Sequence, residues 1–399
     1  MSAPRGRTPE RRRRSLVWLT ALAAGLVIFL VGREVGSRTG RSASLSDEVI
    51  DVVRSRYREP VNPRKLQRTA VDAVIASLDD PYTAYLDPAA LNRANDQGAG
   101  AYSGIGIRLD RSVDRLVVAS VFPKSPAALG GVLVGDHLLA VDGRVVTKLR
   151  DVAGSIVGKE GTVVRLRVST GDDPPREASL TRRRITAPAV ASSTKVVVGT
   201  PVGYVQLFGF TKGSGAQMRG AVRRLVDSGA KGLVLDLRGD LGGFVSEAVT
   251  AAGTFLPKGA TIATTQGAHE KPETIKTKGG TVAAALPLVV LVDQNSASAS
   301  EILAGALRDN GRATLIGTRT FGKARIQVTQ ELKSGGALKV TIASYRTPSG
   351  LDISDRGLPP AVFSVDDSRT EADEPLDRAL EVVTGRAPTR PPTVTPVTG

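Results

Sequence analysis

The first strong pattern along the 399-residue chain is an unbroken apolar run, LVWLTALAAGLVIFLVG, from Leu16 to Gly32. Seventeen residues without a charge sit at the short end of what a helix needs to cross a bilayer. Residues 1–15 ahead of it carry Arg5, Arg7 and Arg11 to Arg14 against Glu10, the kind of flank that stays in the cytoplasm. A cleavable signal peptide ends in small residues soon after its apolar core. Here the core runs into Arg33, Glu34 and Arg38 and meets Ser42-Ala43-Ser44 only further on. The pattern predicts an uncleaved signal anchor over 16–32, with the rest of the chain outside the cytoplasm.

From residue 33 to 99 a linker leads into a helical rhythm. Val49, Val52, Val53 and Tyr57 share one face, and Asn62-Pro63 supplies a cap and a first-turn proline for a second helix with Leu66, Ala70, Val71, Val74 and Leu78. LDDPYTAYLDP, Leu78 to Pro88, breaks that helix in proline turns. Over 100–184 the rhythm shortens to strands between glycines: GIGIRLD, RLVVASV, HLLAVDGRVV, GTVVRLRVS and REASLTR, with a short helix expected over Leu149 to Val157. Over 185–385 strands alternate with helices, the pattern of an α/β domain. VGYVQLFGF, GLVLDLR and LPLVVLVD read as its strands, and the last leads into a serine-rich helix. The Pro- and Thr-rich end, 386–399, is expected to be disordered.

Composition then narrows the chemistry. The chain has no cysteine, which excludes disulfides and thiolate catalysis. Its net charge is +15, but aromatics are only 4% and no basic stretch is interleaved with stacking rings, so nucleic-acid binding is not expected. Of the two histidines, His137 falls in the β-rich segment and His269 in the polar stretch QGAHEKPE. No G-x-S-x-G elbow occurs, so a hydrolase of that type is unsupported.

What remains is DQNSASASEILAGALRDNGRA, Asp293 to Ala313, with serines at 296, 298 and 300. Ser298 and Glu301 fit a capping box, and Ile302, Leu303, Ala306 and Leu307 make the buried stripe behind it. Capping worth about 1 kcal/mol would account for Ser298 without any chemistry. The same place suits a nucleophile. Backbone amides at a helix N-terminus are unpaired and favour negative charge, and the amide of Ala299 could receive an oxyanion. With no histidine nearby, the base would be a lysine kept neutral by burial. From these residues alone, both readings stand.

Ser296 to Gln327, SASASEILAGALRDNGRATLIGTRTFGKARIQ, resembles the signature of the carboxyl-terminal processing peptidases, or tail-specific proteases. The resemblance implies that Ser298 is the nucleophile of a serine endopeptidase, that Lys323 of the T-F-G-K stretch is its base 25 residues on, and that Gln327 orients the lysine. Positions four apart on a strand share a face, so Lys323 and Gln327 are expected to face the serine together. Asp309 matches an aspartate of the serine helix and is expected to give structural support. DLRGDLGGFVSEAV resembles the D-L-R-N-N-P-G-G stretch, whose glycine amide completes the oxyanion hole; that role carries over to Gly242 or Gly243, beside Ala299. LDDPYTAYLDP, YRTPSG and RGLPPAV also resemble stretches of the family.

The β-rich segment resembles a PDZ domain through SGIGI, Ser103 to Ile107, and GDHLLAVDG, Gly135 to Gly143. Such modules add an extended C-terminus to a strand and hold its carboxylate in a loop of amides. Gly104, Ile105, Gly106 and Ile107 would form that loop, with Val152 and Ile156 walling the side-chain pocket. The family implies an α/β core of the ClpP/crotonase-like kind with the PDZ domain inserted, no metal or cofactor, polypeptide substrates with exposed apolar C-termini, and a homodimer paired through helical ends. Three positions depart from it: Val157 stands where the PDZ helix has arginine, Ala324 where glycine follows the lysine, and Gly239-Asp240-Leu241 where the glycine loop has Asn-Asn-Pro. A non-catalytic PDZ scaffold and an acyl-CoA enzyme on a related core remain the alternatives.

Overall fold

The structure, a computed structural model, describes residues 45–386 apart from 113–114, 147–148, 172, 270, 368–369 and 371. The expected basic tail, signal anchor and Pro/Thr-rich end from 387 lie outside the described residues, among which no helix is long and apolar enough to cross a membrane.

The chain divides into two compact units, Met1–Asp79 and Asp80–Gly399. In the first, helices Leu45–Arg56 and Pro63–Ala76 form where the 3.6-residue periodicity places them, and the Asn62 side chain accepts the Arg64 and Lys65 N–H groups as a cap. Neither helix has a buried residue, and Val49, Val52, Tyr57, Val71, Val74 and Leu78 are exposed. Among the described residues most of this apolar face is exposed, with Val53, Leu66 and Ala70 half-buried.

In the second unit, a β module forms from an antiparallel sheet ordered Ile107–Ser112, Arg115–Val121, Asp136–Val141, Val163–Thr170 and Arg176–Thr181. Period-two alternation shows plainly in Val163–Thr170, which turns Val164, Leu166 and Val168 into a core shared with Ile105, Leu116, Leu138 and Leu180. Ile107–Ser112 is an edge strand. The helix Leu149–Ile156 ends against Arg182, whose guanidinium donates to the Ser155 and Ile156 carbonyls at 2.7 and 2.8 Å. A cation at a helix C-terminus meets the negative end of its dipole. Val157, just beyond, is 46% exposed and takes no part in that cap.

The α/β core is built on a six-stranded sheet ordered Val190–Val197, Thr200–Leu207, Gly232–Asp236, Leu288–Val292, Thr314–Gly317 and Val362–Phe363. The first pair is antiparallel and the rest are parallel. Every residue of Gly232–Asp236 and Leu288–Val292 is buried, as central parallel strands covered on both faces require. Leu233, Leu235, Val290 and Val292 face Phe210, Phe255 and Leu303, while Val234, Val289 and Leu291 face Ala379 and Val383 of the C-terminal helix Glu374–Val383. A second sheet pairs Ala337–Arg346 with Ala84–Leu86, Thr261–Gln266 and Arg325–Glu331.

Two turns that leave the C-terminal ends of the central parallel strands, 237–244 and 293–298, carry the glycine loop and the serines. Crevices at those ends are where open α/β sheets bind ligands. Arg238 fixes the start of the first turn, bonded to Asp236 at the strand end and to Asp373, the cap of the C-terminal helix.

Candidate active site

The three serines divide their work. Ser296 and Ser300 are fully buried, and their hydroxyls donate across to the glycine loop, to Leu237 O and Asp240 O, each at 2.8 Å. The Ala297 N–H adds a third bond to Asp240 O at 3.0 Å. Ser298 stands half-buried between them and forms the capping box with Glu301. Its backbone sits at φ 57° and ψ −112°, a strained region that costs a non-glycine residue about 1–3 kcal/mol. An ordinary N-cap serine has extended backbone and accepts an N–H of the first turn. Ser298 caps its helix from a backbone outside that extended region, so capping alone does not account for it.

Glu301 explains what holds that strain. Its carboxylate is fully buried; Oε1 accepts the Thr320 hydroxyl at 2.6 Å and the Gly322 N–H at 2.7 Å. Oε2 accepts the N–H groups of both Ser298 and Lys323, each at 2.9 Å, so those two nitrogens lie no further apart than twice that distance. On the carbonyl side, the buried Tyr345 hydroxyl lies 3.1 Å from Ser298 O and 3.1 Å from Lys323 O, serving one at a time with its single proton. Two side chains thus staple the backbone of Ser298 to that of Lys323.

Lys323 is half-buried, with Nζ 5.0 Å from the centroid of the Tyr82 ring. Among the described residues its side chain makes no hydrogen bond or ion pair, with the Ser298 hydroxyl or any other group. Catalytic bonds commonly tighten only with substrate in place. Burial holds its pKa below the ordinary lysine value and Lys339 lowers it further, against partial opposition from Glu301 and Asp80. Tyr82 was not singled out from the sequence. It is delivered by the LDDPYTAYLDP turn, where Asp80 accepts the Tyr82 N–H at 3.0 Å and the Thr83 hydroxyl at 2.5 Å. Asp followed two residues later by a bonded N–H is a turn signal, but nothing local says where the turn aims its ring.

Gln327 and Lys323 do not share one strand. Lys323 lies in the loop before the strand Arg325–Glu331, and the register slips by one residue between Ile326 and Gln327. The extra residue at the slip, Ile342, stands on the partner strand Ala337–Arg346, so alternation within Arg325–Glu331 is kept but does not reach back to Lys323. The Gln327 amide donates instead to the Thr341 hydroxyl at 3.2 Å.

On the other side of Ser298, Gly242 has φ +95°, and a Cβ there would lie 2.5 Å from Ala297 O and 2.9 Å from the Ala299 nitrogen. Only glycine permits that approach. The Gly242 N–H is already spent on Asp240 Oδ1 at 2.8 Å. The amides of Gly243 and Ala299 have no hydrogen-bond partner among the described residues, which makes them the pair open to an oxyanion. Asp309, at the far end of the serine helix, accepts the Ser349 N–H and hydroxyl at 3.0 and 2.6 Å and so anchors the YRTPSG turn behind Tyr345.

In the β module, Gly104 ends one strand and Ile107 begins the next, leaving Ile105 and Gly106 as the linking loop. Ile105 is fully buried, and the Tyr102 ring closes on Gly104, where a Cβ would stand 2.6 Å from it. Val152 and Ile156 point into the module's core rather than lining open space. Their helix flanks the edge strand, but these two side chains form no free wall.

Comparison with known proteins places these features together. The model of peptidase family S41 matches residues 201–363, and a PDZ domain model matches 117–169. A carboxyl-terminal-processing protease of Synechocystis is 35% identical over 84% of this chain and 81% of its own length. The carboxy-terminal processing protease CtpA of Bacillus subtilis is 30% identical over 87% and 76%. Among solved structures, the photosystem II D1 C-terminal processing protease is similar with a TM-score of 0.51 at 32% identity, covering 82% of this chain and 87% of that one.

Proposed function

The chain belongs to the carboxyl-terminal-processing proteases of peptidase family S41, a serine-type peptidase with a PDZ domain, and within that family we propose that Ser298 is its nucleophile and Lys323 the general base. The observation that carries the assignment is the Glu301 staple. One buried carboxylate oxygen accepts both backbone N–H groups, and the other two serines are committed elsewhere. Neutral Lys323 takes the Ser298 proton as Oγ attacks the scissile carbonyl. The Ala299 and Gly243 amides receive the developing oxyanion, the protonated lysine returns its proton to the leaving amine, and water then hydrolyses the acyl-enzyme. Gln327 would orient Lys323 through its amide oxygen, its amide nitrogen donating to Thr341.

The PDZ domain takes the apolar C-terminus of an unfolded polypeptide on the free edge of Ile107–Ser112, with the loop from Gly104 to Ile107 at the terminal carboxylate. Because Val152 and Ile156 are packed inward, docking draws the helix Leu149–Ile156 away from the core. The test uses the fragment from Arg41 with a loosely folded protein ending in apolar residues, and the same protein ending in two aspartates. The apolar tail is expected to be cleaved roughly tenfold faster, about the worth of burying two methylene groups, and Ser298→Ala to cleave neither. Equal rates would remove tail sensing and keep the peptidase; wild-type inertness beside an unlabelled Ser298 would favour a scaffold.

The reading also includes the signal anchor over 16–32, which holds the catalytic part outside the cytoplasm, and a homodimer. The exposed apolar face of the two N-terminal helices supports pairing. The full chain should float with lipid vesicles while the fragment from Arg41 stays in solution and sediments as a dimer. Vesicle binding by the fragment would discard the anchor, and a monomer would discard the pairing.

A further inference from the structure

The glycine loop contains one carboxyl group that the reaction described above does not use. Asp240 is fully buried. Its Oδ1 accepts the Gly242 N–H at 2.8 Å, while Oδ2, equally buried, has no hydrogen-bond partner. An ionised carboxylate presents about four acceptor sites, and an oxygen left bare in the interior is costly. A protonated carboxyl keeps the Gly242 bond on its carbonyl oxygen and has no charge to solvate.

Neighbouring ionisable groups do not supply a counter-charge. Arg238, on the same loop, is bonded to Asp236 and Asp373. Asp293, on the serine turn, accepts the Gly239 N–H. Glu301, on the serine helix, is bonded to Thr320, Gly322, Ser298 and Lys323. Burial accordingly pushes the Asp240 pKa up to about 7, with the Gly242 amide opposing only in part. The position is also one where the resembled D-L-R-N-N-P-G-G stretch has asparagine, a side chain of nearly the same shape that never ionises.

We propose that Asp240 is a positioning residue of the oxyanion loop that works as the neutral acid, aiming Gly242 while negative charge builds beside it, so that its ionisation slows acylation. The inference rests on the reading of Ser298 as nucleophile. The loop residue that Asp240 holds, Gly242, is packed against Ser298 and the Ala299 amide. A negative Asp240 therefore repels the oxyanion that those amides must receive. At an effective dielectric constant of about 20, a like charge a few residues away changes a rate roughly tenfold. Lys323 must lose its proton and Asp240 must keep one, so the two groups bound the active pH range from opposite sides.

The experiment compares kcat/KM of the wild type and Asp240→Asn in the full chain across pH. The variant should keep the acid limb, which belongs to Lys323, and lose the alkaline limb. Its advantage should grow from near unity at about pH 5 to roughly tenfold at about pH 9. A loop-shaping role alone predicts a ratio that does not move with pH, and that result beside intact hydrolysis would overturn the inference by itself. Absence of hydrolysis by the wild type at every pH would overturn the peptidase reading instead.

Thermal unfolding in a Ser298→Ala background supplies a readout that needs no turnover. The folded pKa of Asp240 lies above its unfolded value, so the stability it contributes is full below about pH 4 and is lost as pH rises through about 7. The Tm of Asp240→Asn relative to its parent should climb across that window. A constant difference would show that Asp240 holds no proton to lose.

Discussion

Replacing Lys323 by alanine is expected to lower kcat/KM by about 10⁴-fold or more with the fold intact, the scale seen when one member of a serine-protease catalytic unit is removed. The side chain is half-buried and makes no bond that the fold depends on, while its backbone N–H, which Glu301 does hold, survives the substitution. Lys323→Arg should not rescue, because a guanidinium does not give up its proton in a protein. In the wild type the acid limb of kcat/KM should fall below the ordinary lysine range of about 10.4, since burial and the charge of Lys339 both disfavour the ammonium. Hydrolysis of an unfolded protein, with thermal unfolding as the check of folding, measures all three. Lys323→Ala retaining a tenth of wild-type activity would remove lysine as the base.

Glu301→Gln should damage the enzyme almost as much by a different route. Four donors converge on the two carboxylate oxygens. An amide supplies one oxygen and turns two N–H groups toward donors, leaving at least two of them unpaired in the interior. Hydrogen bonds to a charged acceptor contribute about 1.5–3 kcal/mol each, so a loss of roughly 3–5 kcal/mol in stability is expected. Because the same bonds set the spacing of Ser298 and Lys323, kcat should fall by roughly 10²–10³ even where the variant is folded, as small misplacements do. Urea unfolding and hydrolysis rates well below Tm separate the two effects. Wild-type turnover by a destabilised variant would show that Glu301 holds the fold and does not position the dyad.

Glu301 also marks the limit of what local pattern reveals. The S-x-x-E spacing identified it as a partner of Ser298, and that bond is present. Its other three partners, Thr320, Gly322 and Lys323, come from a loop some twenty residues on, and no period in the sequence links them. Tyr345 and Tyr82 were illegible for the same reason, since each reaches the site from a remote strand or turn. Alternation made Ser296, Ser298 and Ser300 conspicuous but could not say which of them was uncommitted, because that depends on carbonyls of the glycine loop. The buried strands were legible, since continuous apolar runs such as LPLVVLVD have few other uses. Alternation cannot relate Gln327 to Lys323, because Lys323 lies in the loop ahead of the strand that carries Gln327. Val152 and Ile156 misled differently: their spacing identifies an apolar helix face without telling a closed core from an open groove.

The serine stretch has a further consequence, for what evolution can do with it. Ser296 and Ser300 act as two rivets set a fixed number of residues apart, and Ser298, the proposed nucleophile, stands midway between them. Adding or deleting one residue there does not merely displace a hydroxyl; it leaves one rivet without its hole and moves another residue to the strained centre. This stretch therefore tolerates a change of side chain more readily than a change of length.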